Sequence, residues 1–354
     1  MGNRTSRQDR NGKTTANAGH SLNYRTSDFG DERGASLSPT VMSATGGTEY
    51  EPGNGYKYHK FTTATPLPES KLIVSGAGTI DLLVVAGGGA GGSYYGAGGG
   101  GGGIAYANNL PVEDGTYPVS VGPGATAHAH PPNPSSFEGN DGVNSYFGTP
   151  GQSIGGQPDY ILAKGGGGGG RGVATGGRTG GSGGGSGGGD IVPGPGAPTP
   201  APGQATQPGT NPSPFVTDYG NPGGASTPTG GYAPAGGGGA GAAGVSIDGD
   251  IPGGGNGGDG QPFPAFAYPL IGETALNPYS PSNSHYAGGG GAGVYNTPAT
   301  NRTGTGGHGG GGNGPGSPTG PGVNKLGGGG GGRHPGNQTN YVGGDGIVVV
   351  RYSA

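Results

Sequence analysis

Uninterrupted glycine constrains this chain more than any other feature. The stretch AKGGGGGGRG places six glycines at Gly165–Gly170, and further runs stand at Gly98–Gly103, Gly236–Gly239, Gly288–Gly291, Gly309–Gly312 and Gly327–Gly332, with GGSGGGSGGG starting at Gly180. Such blocks have no side chains to bury, so either they are flexible spacers or their backbones are the packing material. Fixing one six-residue run costs roughly 6–12 kcal/mol of conformational free energy. An isolated extended rod has no internal hydrogen bonds to offset that cost. Pairing with neighbouring rods, at a net of about 0.5–1.5 kcal/mol per hydrogen bond plus close van der Waals contact, approaches balance only if nearly every backbone group is paired.

Run length favours the packed alternative. A polyproline-II-type rod has three residues per turn and projects side chains in three directions, so a rod surrounded on every side carries none. Uninterrupted glycine is therefore expected in interior rods, and runs interrupted by Ser, Ala, Asn or Thr in rods with a face to solvent. Six residues span roughly 19 Å at a rise of about 3.1 Å, which suits a compact bundle. One flexible linker would suffice where this chain has seven runs. Their lengths recur while their spacing does not, which suggests similar rods joined by unequal loops rather than a solenoid, and no Gly-X-Y period points to collagen.

The remaining composition narrows the class. Only 28% of the 354 residues are hydrophobic, and Trp and Cys are absent, so an ordinary apolar core cannot extend over the whole chain. Charged residues make up 10% with a net charge of -4, which is equally unlike a disordered polyelectrolyte. Without cysteine there is no disulfide framework. The opening MGNRTSRQDRNGKTTANAG has no apolar segment behind its basic residues, and the longest apolar runs, such as Leu82–Ala86, are too short to cross a bilayer. Neither a Sec signal nor membrane insertion is expected. Residues 1–34 set Arg4, Arg7, Arg10, Lys13, Arg25 and Arg33 against Asp9, Asp28, Asp31 and Glu32. That excess is too slight for nucleic-acid binding and suits a polar arm lying on a partner surface, so residues 1–52 are expected to be an extended docking arm.

Strand-like runs begin at Tyr56 with YKYHKFTT, KLIVSG and TIDLLVVAGGG, each bounded by turn residues. Ile104 and Tyr106 share one face of GIAYANNL, Tyr117, Val119 and Val121 one face of TYPVSVGPG, and Val143, Ser145 and Phe147 alternate in VNSYFG. Period-two alternation in short runs predicts an antiparallel sheet with one buried face. Pro118 is expected to hold its strand at an edge. The strongest strand pattern, GIVVVRYSA at Gly346–Ala354, closes the chain and is expected to return to the early strands. The expected fold is all-β plus polyglycine II with little or no α-helix. A small antiparallel β-sandwich, 53–164 plus 345–354, carries a polyglycine II bundle over 165–344 with long loops, to which the run 87–103 contributes.

In that order, LLVVAGGGAGG, GGGGGGIAYANNLPVEDGTYPVSVGPGA, NSYFG, further GGGGGG blocks and a closing DGIVVVRY resemble the glycine-rich domain of tailed-phage tail fibre and appendage proteins. The resemblance covers about residues 56–354. In the similar distal adhesins of T-even-type phages, glycine-rich segments form bundled polyglycine II helices whose connecting loops contact the bacterial surface. The resemblance thus implies a virion component, assembled in the host cytoplasm, with no cofactor. Its partners would be other virion proteins through the arm and a host cell-surface protein or glycan through the loops, with a homo-oligomer among the possible forms. It does not extend to the arm.

Aromatic residues in the loops, Phe215, Tyr219, Tyr232, Phe263, Phe266, Tyr268, Tyr279, Tyr286 and Tyr295, are candidate receptor contacts, since Tyr binds sugar or protein at low entropic cost. With equal weight they would instead cap the bundle ends and shield glycine backbone from water. His128 and His130 in AHAHPPNP point the same way from a strand and are weak metal candidates, because a metal site normally needs three or more ligands. His285, His308 and His334 stand apart in sequence. Matches to G-x-G-x-x-G arise by chance among 98 glycines, and no Ser-His-Asp constellation or spaced carboxylate pair stands out, so no enzyme activity is expected. Two other readings are an architectural or decorating element of tail, neck or capsid without a receptor, and an ice-binding protein. The uneven loops and polar arm count against the latter.

Overall fold

The computed structural model describes residues 42–63, 70–126, 137–149, 154, 160–172, 175–188, 199–227, 233–247, 253–273, 283–294, 303–315, 320–333 and 341–354. Thirteen strands occur among them: β1 (Ser43–Thr45), β2 (Thr48–Tyr50), β3 (Tyr56–Phe61), β4 (Lys71–Ser75), β5 (Gly78–Val85), β6 (Ile104–Val112), β7 (Gly115–Ser120), β8 (Ser145–Phe147), β9 (Ile161–Ala163), β10 (Val216–Tyr219), β11 (Gln261–Pro262), β12 (His285–Tyr286) and β13 (Ile347–Ser353). Their pairings are antiparallel. One sheet has the order β10-β6-β5-β13-β3-β2, a second β1-β4-β7-β8-β9, and β11-β12 form a short ladder. The only helical elements among the described residues are two 3-10 turns, Pro264–Phe266 and Tyr268–Ile271.

Alternation along the central strands builds two cores. Leu82, Val84, Val348 and Val350 pack towards Leu72, Tyr117 and Phe147 of the second sheet, giving a sandwich. Leu83, Val85, Ile347 and Val349 point the other way, where the segment 261–273 covers them with Phe263, Phe266, Tyr268 and Ile271. The closing strand does return to the early ones: β13 lies between β3 and β5, with Val350 opposite both His59 and Leu82. Deleting Ile347–Ala354 is therefore expected to abolish folding rather than trim an end. Four buried aliphatic side chains at about 1.5–3 kcal/mol each rival the 5–15 kcal/mol that holds a typical domain together. Loss of the β signal in circular dichroism would show it, and a soluble chain retaining that signal would contradict it.

Glycine segments run from the sandwich as extended rods bonded laterally to one another. Gly165–Gly170 pairs all of its backbone groups. Its N–H groups take three directions in turn: Gly166 and Gly169 donate to Gly87 and Ala90, Gly167 and Gly170 to Ser182 and Gly185, and Gly165 and Gly168 to the side-chain oxygens of Asn144 and Asp141. Its carbonyls alternate with these directions, accepting from Gly181, Gly142, Gly100, Arg178, Gly139 and Ala97 in chain order. Gly98–Gly103 repeats the three-residue period, with Gly98 and Gly101 donating to Ala235 and Gly238, Gly99 and Gly102 to Gly330 and Gly327, and Gly100 and Gly103 to Gly167 and Lys164. It also accepts from Gly89, Ser182, Gly185 and Gly290, so segments near 86–89, 164–167, 182–185, 235–238, 287–290 and 327–330 ring it completely. Both runs are buried throughout.

Several expectations change. β1 and β2 fall inside the stretch read as an arm, pairing with β4 and β3. Pro118 sits not at an edge but on β7, between β4 and β8. It is tolerated because β8 ends at Phe147, and the side of Pro118 lacking a donor meets only Gly148, whose N–H reaches the Pro118 carbonyl at 2.8 Å. Val143 is 49% exposed, because it belongs to a rod, its carbonyl accepting from Gly87, and β8 starts only at Ser145. Ser182 and Ser186 are fully buried, although interrupted runs were expected to face solvent. A hydroxymethyl group is small enough to sit between rods, and the Ser186 hydroxyl donates to Gly224 O at 3.3 Å. Within Gly309–Gly312, Gly309 and Gly310 form a turn at φ 92° and 97° rather than a rod.

Candidate functional surface

The rods have two distinct ends. β5 continues into 86–92 and 97–103 continues into β6, with Ala86 N–H donating to Gly103 O at 3.1 Å beside the sandwich. At the other end, Gly92 N–H donates to Ala97 O at 2.9 Å across the turn Ser93–Gly96. Register brings other rods to the same level: Ala97 donates to Gly170, Gly172 to Ser93, Gly293 to Gly96, Arg333 to Gly92 and Ser93 to Phe137. The sequence intervals 127–136, 173–174, 295–302 and 334–340 therefore join the described structure at or near this distal end. Met42, by contrast, lies against Gly78 at the start of β5, about eight strand residues from the rods.

The distal turn is unusual in conformation. Tyr94 and Tyr95 are consecutive non-glycine residues in the left-handed region, at φ 53° and 58°, a conformation costing roughly 1 kcal/mol or more per residue. Neighbours hold it in place. Phe137 N–H donates to Ser93 Oγ at 2.6 Å, and the two tyrosine rings meet edge to face at 5.0 Å. Tyr95 is buried, Tyr94 half-buried and Phe137 exposed, so the end presents aromatic surface on a fixed backbone. This turn was not anticipated from the sequence, where the Ser-Tyr-Tyr interruption between two glycine runs is the available signal for it.

The candidate receptor contacts divide differently from the expectation. Phe263, Phe266, Tyr268 and Tyr286 are buried at the sandwich end, in the core under the six-stranded sheet, and cannot meet a receptor in this fold. They are needed there because alternate residues of β5, β6 and β13 leave that sheet face apolar. Tyr219 is half-buried, its ring 5.6 Å from Phe263, while Phe215 remains 38% exposed beside edge strand β10. Tyr232, Tyr279, Tyr295, His128, His130, His334 and the arm residues Arg4, Arg7, Arg10, Lys13, Arg25 and Arg33 lie outside the described residues.

Charges separated widely in sequence pin this aromatic cover. Lys60 of β3 pairs with Glu273, which also takes Lys325 at 3.0 and 3.1 Å. Arg351 of β13 pairs with Asp81 at 2.7 Å and stacks over Tyr56 at 4.3 Å. Burial pushes the Glu273 carboxyl up, but the hydrogen bonds and charges of Lys60 and Lys325 outweigh it and hold it below its ordinary value. Burial pushes the Tyr268 and Tyr286 hydroxyls well up, and both donate to backbone carbonyls, those of His285 and Phe266. His285 and His308, apart in sequence, come together with ring centroids 5.9 Å apart. Burial and then the neighbouring His308 lower the affinity of His285 for a proton, against Asp259. The chemistry of the cluster is that of neutral donors and paired charges anchoring a cover. Among the described residues, no group of three or more His, Cys, Asp or Glu could hold a metal ion, and no helix is long and apolar enough to cross a membrane.

The profile of the glycine-rich domain family matches residues 62–353. The chain belongs to that family. No curated protein matches it. The matched glycine-rich domain starts one residue after β3, yet β3 is hydrogen-bonded along its length to β13, so the folded unit needs residues upstream of the matched span.

Proposed function

We propose that this glycine-rich domain is a rigid display scaffold within a phage virion, a tail fibre or adhesin-like appendage without enzymatic activity. Its rods are read as polyglycine II helices, its arm as the attachment to other virion proteins, and the distal loops as the contact with a host-surface protein or glycan. The observation that carries this reading is the gathering of rod connections at one end of a laterally hydrogen-bonded backbone lattice, away from Met42. A lattice whose rods are braced laterally by several neighbours resists bending, while connections at its end can change without disturbing it.

Two measurements test it. Amide exchange over Gly98–Gly103, Gly165–Gly170 and Gly327–Gly332 is expected to be as slow as over β13, and exchange at the unstructured rate would remove the scaffold. Shortening the distal intervals 295–302 and 334–340 in the virion is expected to abolish adsorption while leaving particles intact. Particles that fail to assemble would point to an architectural element instead.

A further inference from the structure

Along one side of the rod Gly165–Gly170 the backbone donors meet side chains rather than another rod, an arrangement that recurs where Thr305 and His308 donate to Asn256 Oδ1 and Asp259 Oδ1. Around Gly165–Gly170, among the described residues, lie in order rods 97–103, 86–92 and 137–144, then a side without a rod, then rods 175–181 and 182–188. The open side is a donor direction, faced by the N–H groups of Gly165 and Gly168. In the equivalent direction rod 235–240 meets another rod, Gly236 donating to Val245 and Gly239 to Ala242, and Gly331 likewise donates to Gly320. Here the acceptors are Asn144 Oδ1 at 2.9 Å and Asp141 Oδ1 at 3.0 Å. Asp141 is held across the gap by Arg178 from the opposite wall, Nε to Oδ1 and Nη2 to Oδ2 both at 2.7 Å, with Glu138 3.9 Å from Nη1. Gly165 and Gly168 are buried beneath, while the side chains of Arg178 and Asp141 are 47% and 38% exposed.

We propose that Asp141 and Arg178 guard a rod-width seat on the flank of the bundle, and that without the guard the seat takes a ready-formed outer rod from a second copy of this chain. Magnitudes select that occupant. Ordering six residues of a free glycine segment costs far more conformational entropy than the two hydrogen bonds of the seat return. A rod already ordered in another bundle avoids that cost. Outer rods such as 242–247, where Val245 is 44% exposed, stand out from the bundle in the position that is missing here. Seat and projecting rod are different surfaces, so their union is head-to-tail, and unguarded copies would assemble into rings or filaments. The carboxylate and amide thus stand in for the carbonyls of the absent rod, as charged residues protect the edge of a β-sheet.

The test is the full chain carrying Asp141→Gly and Arg178→Gly together, followed by sedimentation velocity over a concentration series and by amide exchange. The double variant is expected to keep the protected strands of the wild type. It should also associate at a concentration at least tenfold below any at which the wild type does, with residues 137–144 and 175–181 gaining protection. Should it fail to fold, Arg178→Gly alone leaves Asp141 on Gly168 and is expected to associate in the same way at higher concentration. A folded variant that keeps the mass of the wild type throughout the series overturns the proposal and reduces the pair to a cap on Gly168. So does a wild type that itself gains protection over these segments as its concentration rises.

Discussion

Alanine at Gly98 is expected to unfold the bundle, although it adds a single methyl group to a chain rich in alanine. An added Cβ would stand 1.8 Å from Gly290 O and 2.4 Å from Gly290 C, with Gly237 N at 2.9 Å. Gly290 cannot retreat cheaply, because its rod is bonded in turn to Gly99, Gly258 and Gly312. Overpacking an ordinary core costs about 1–3 kcal/mol through side-chain rearrangement. Here the obstacle is backbone on every side, so a loss above about 3 kcal/mol is expected, a large part of a typical domain's stability. Gly115→Ala is the control. Nothing lies within 4 Å of its added Cβ and its φ is outside the left-handed region, so its melting temperature should stay within a few degrees of wild type or rise slightly. A Gly98→Ala protein melting alongside that control would disprove the packed-backbone account.

Glu273→Gln is the second large effect, expected to cost about 3 kcal/mol at neutral pH. It leaves the ammonium of Lys60, a side chain only 11% exposed, without its counter-charge under the aromatic cover. Lys325, 37% exposed, can turn to water and contributes less. The pH dependence has a definite sign. A carboxyl held below its ordinary value of 4.5 in the fold contributes stability that is fully present above 4.5 and is lost as pH falls through the lower folded value. Wild-type stability should therefore fall with acidification below about 4.5 more steeply than that of Glu273→Gln. Parallel denaturant midpoints for the two proteins across that range would show that Glu273 does not carry the linkage.

Much of the sandwich could be read from period-two alternation. Leu72 and Val74 face inwards on β4 while Ile73 faces out, and the Ile-Val-Val-Val run of β13 serves a strand buried on both faces. Pro118 misled because a missing donor excludes a residue from one side of a ladder at one point, not from a central strand whose neighbour stops short. The aromatic loop residues were legible as important but not as buried. QPFPAFAYPLIG reads equally well as an exposed tip or as a lid, and only the apolar underside of the six-stranded sheet decides between them. Lys60 and Glu273 stand 213 residues apart, and no local pattern announces such a pair.

What the sequence by itself determined is the material: rods without side chains, of a length set by the glycine runs, and strands ending where those runs begin. Which rod lies against which was decided only in the tertiary structure. One glycine is chemically identical to the next, so a run such as Gly165–Gly170 carries no address of its own. The address comes from outside the run. β5, β6 and β13 set the starting register of the rods they continue, and Asn144 and Asp141 meet the donors of Gly165 and Gly168 where no described rod does. Long-range hydrogen bonds between identical backbones are satisfied in many registers, and only the few positions that are not glycine select one.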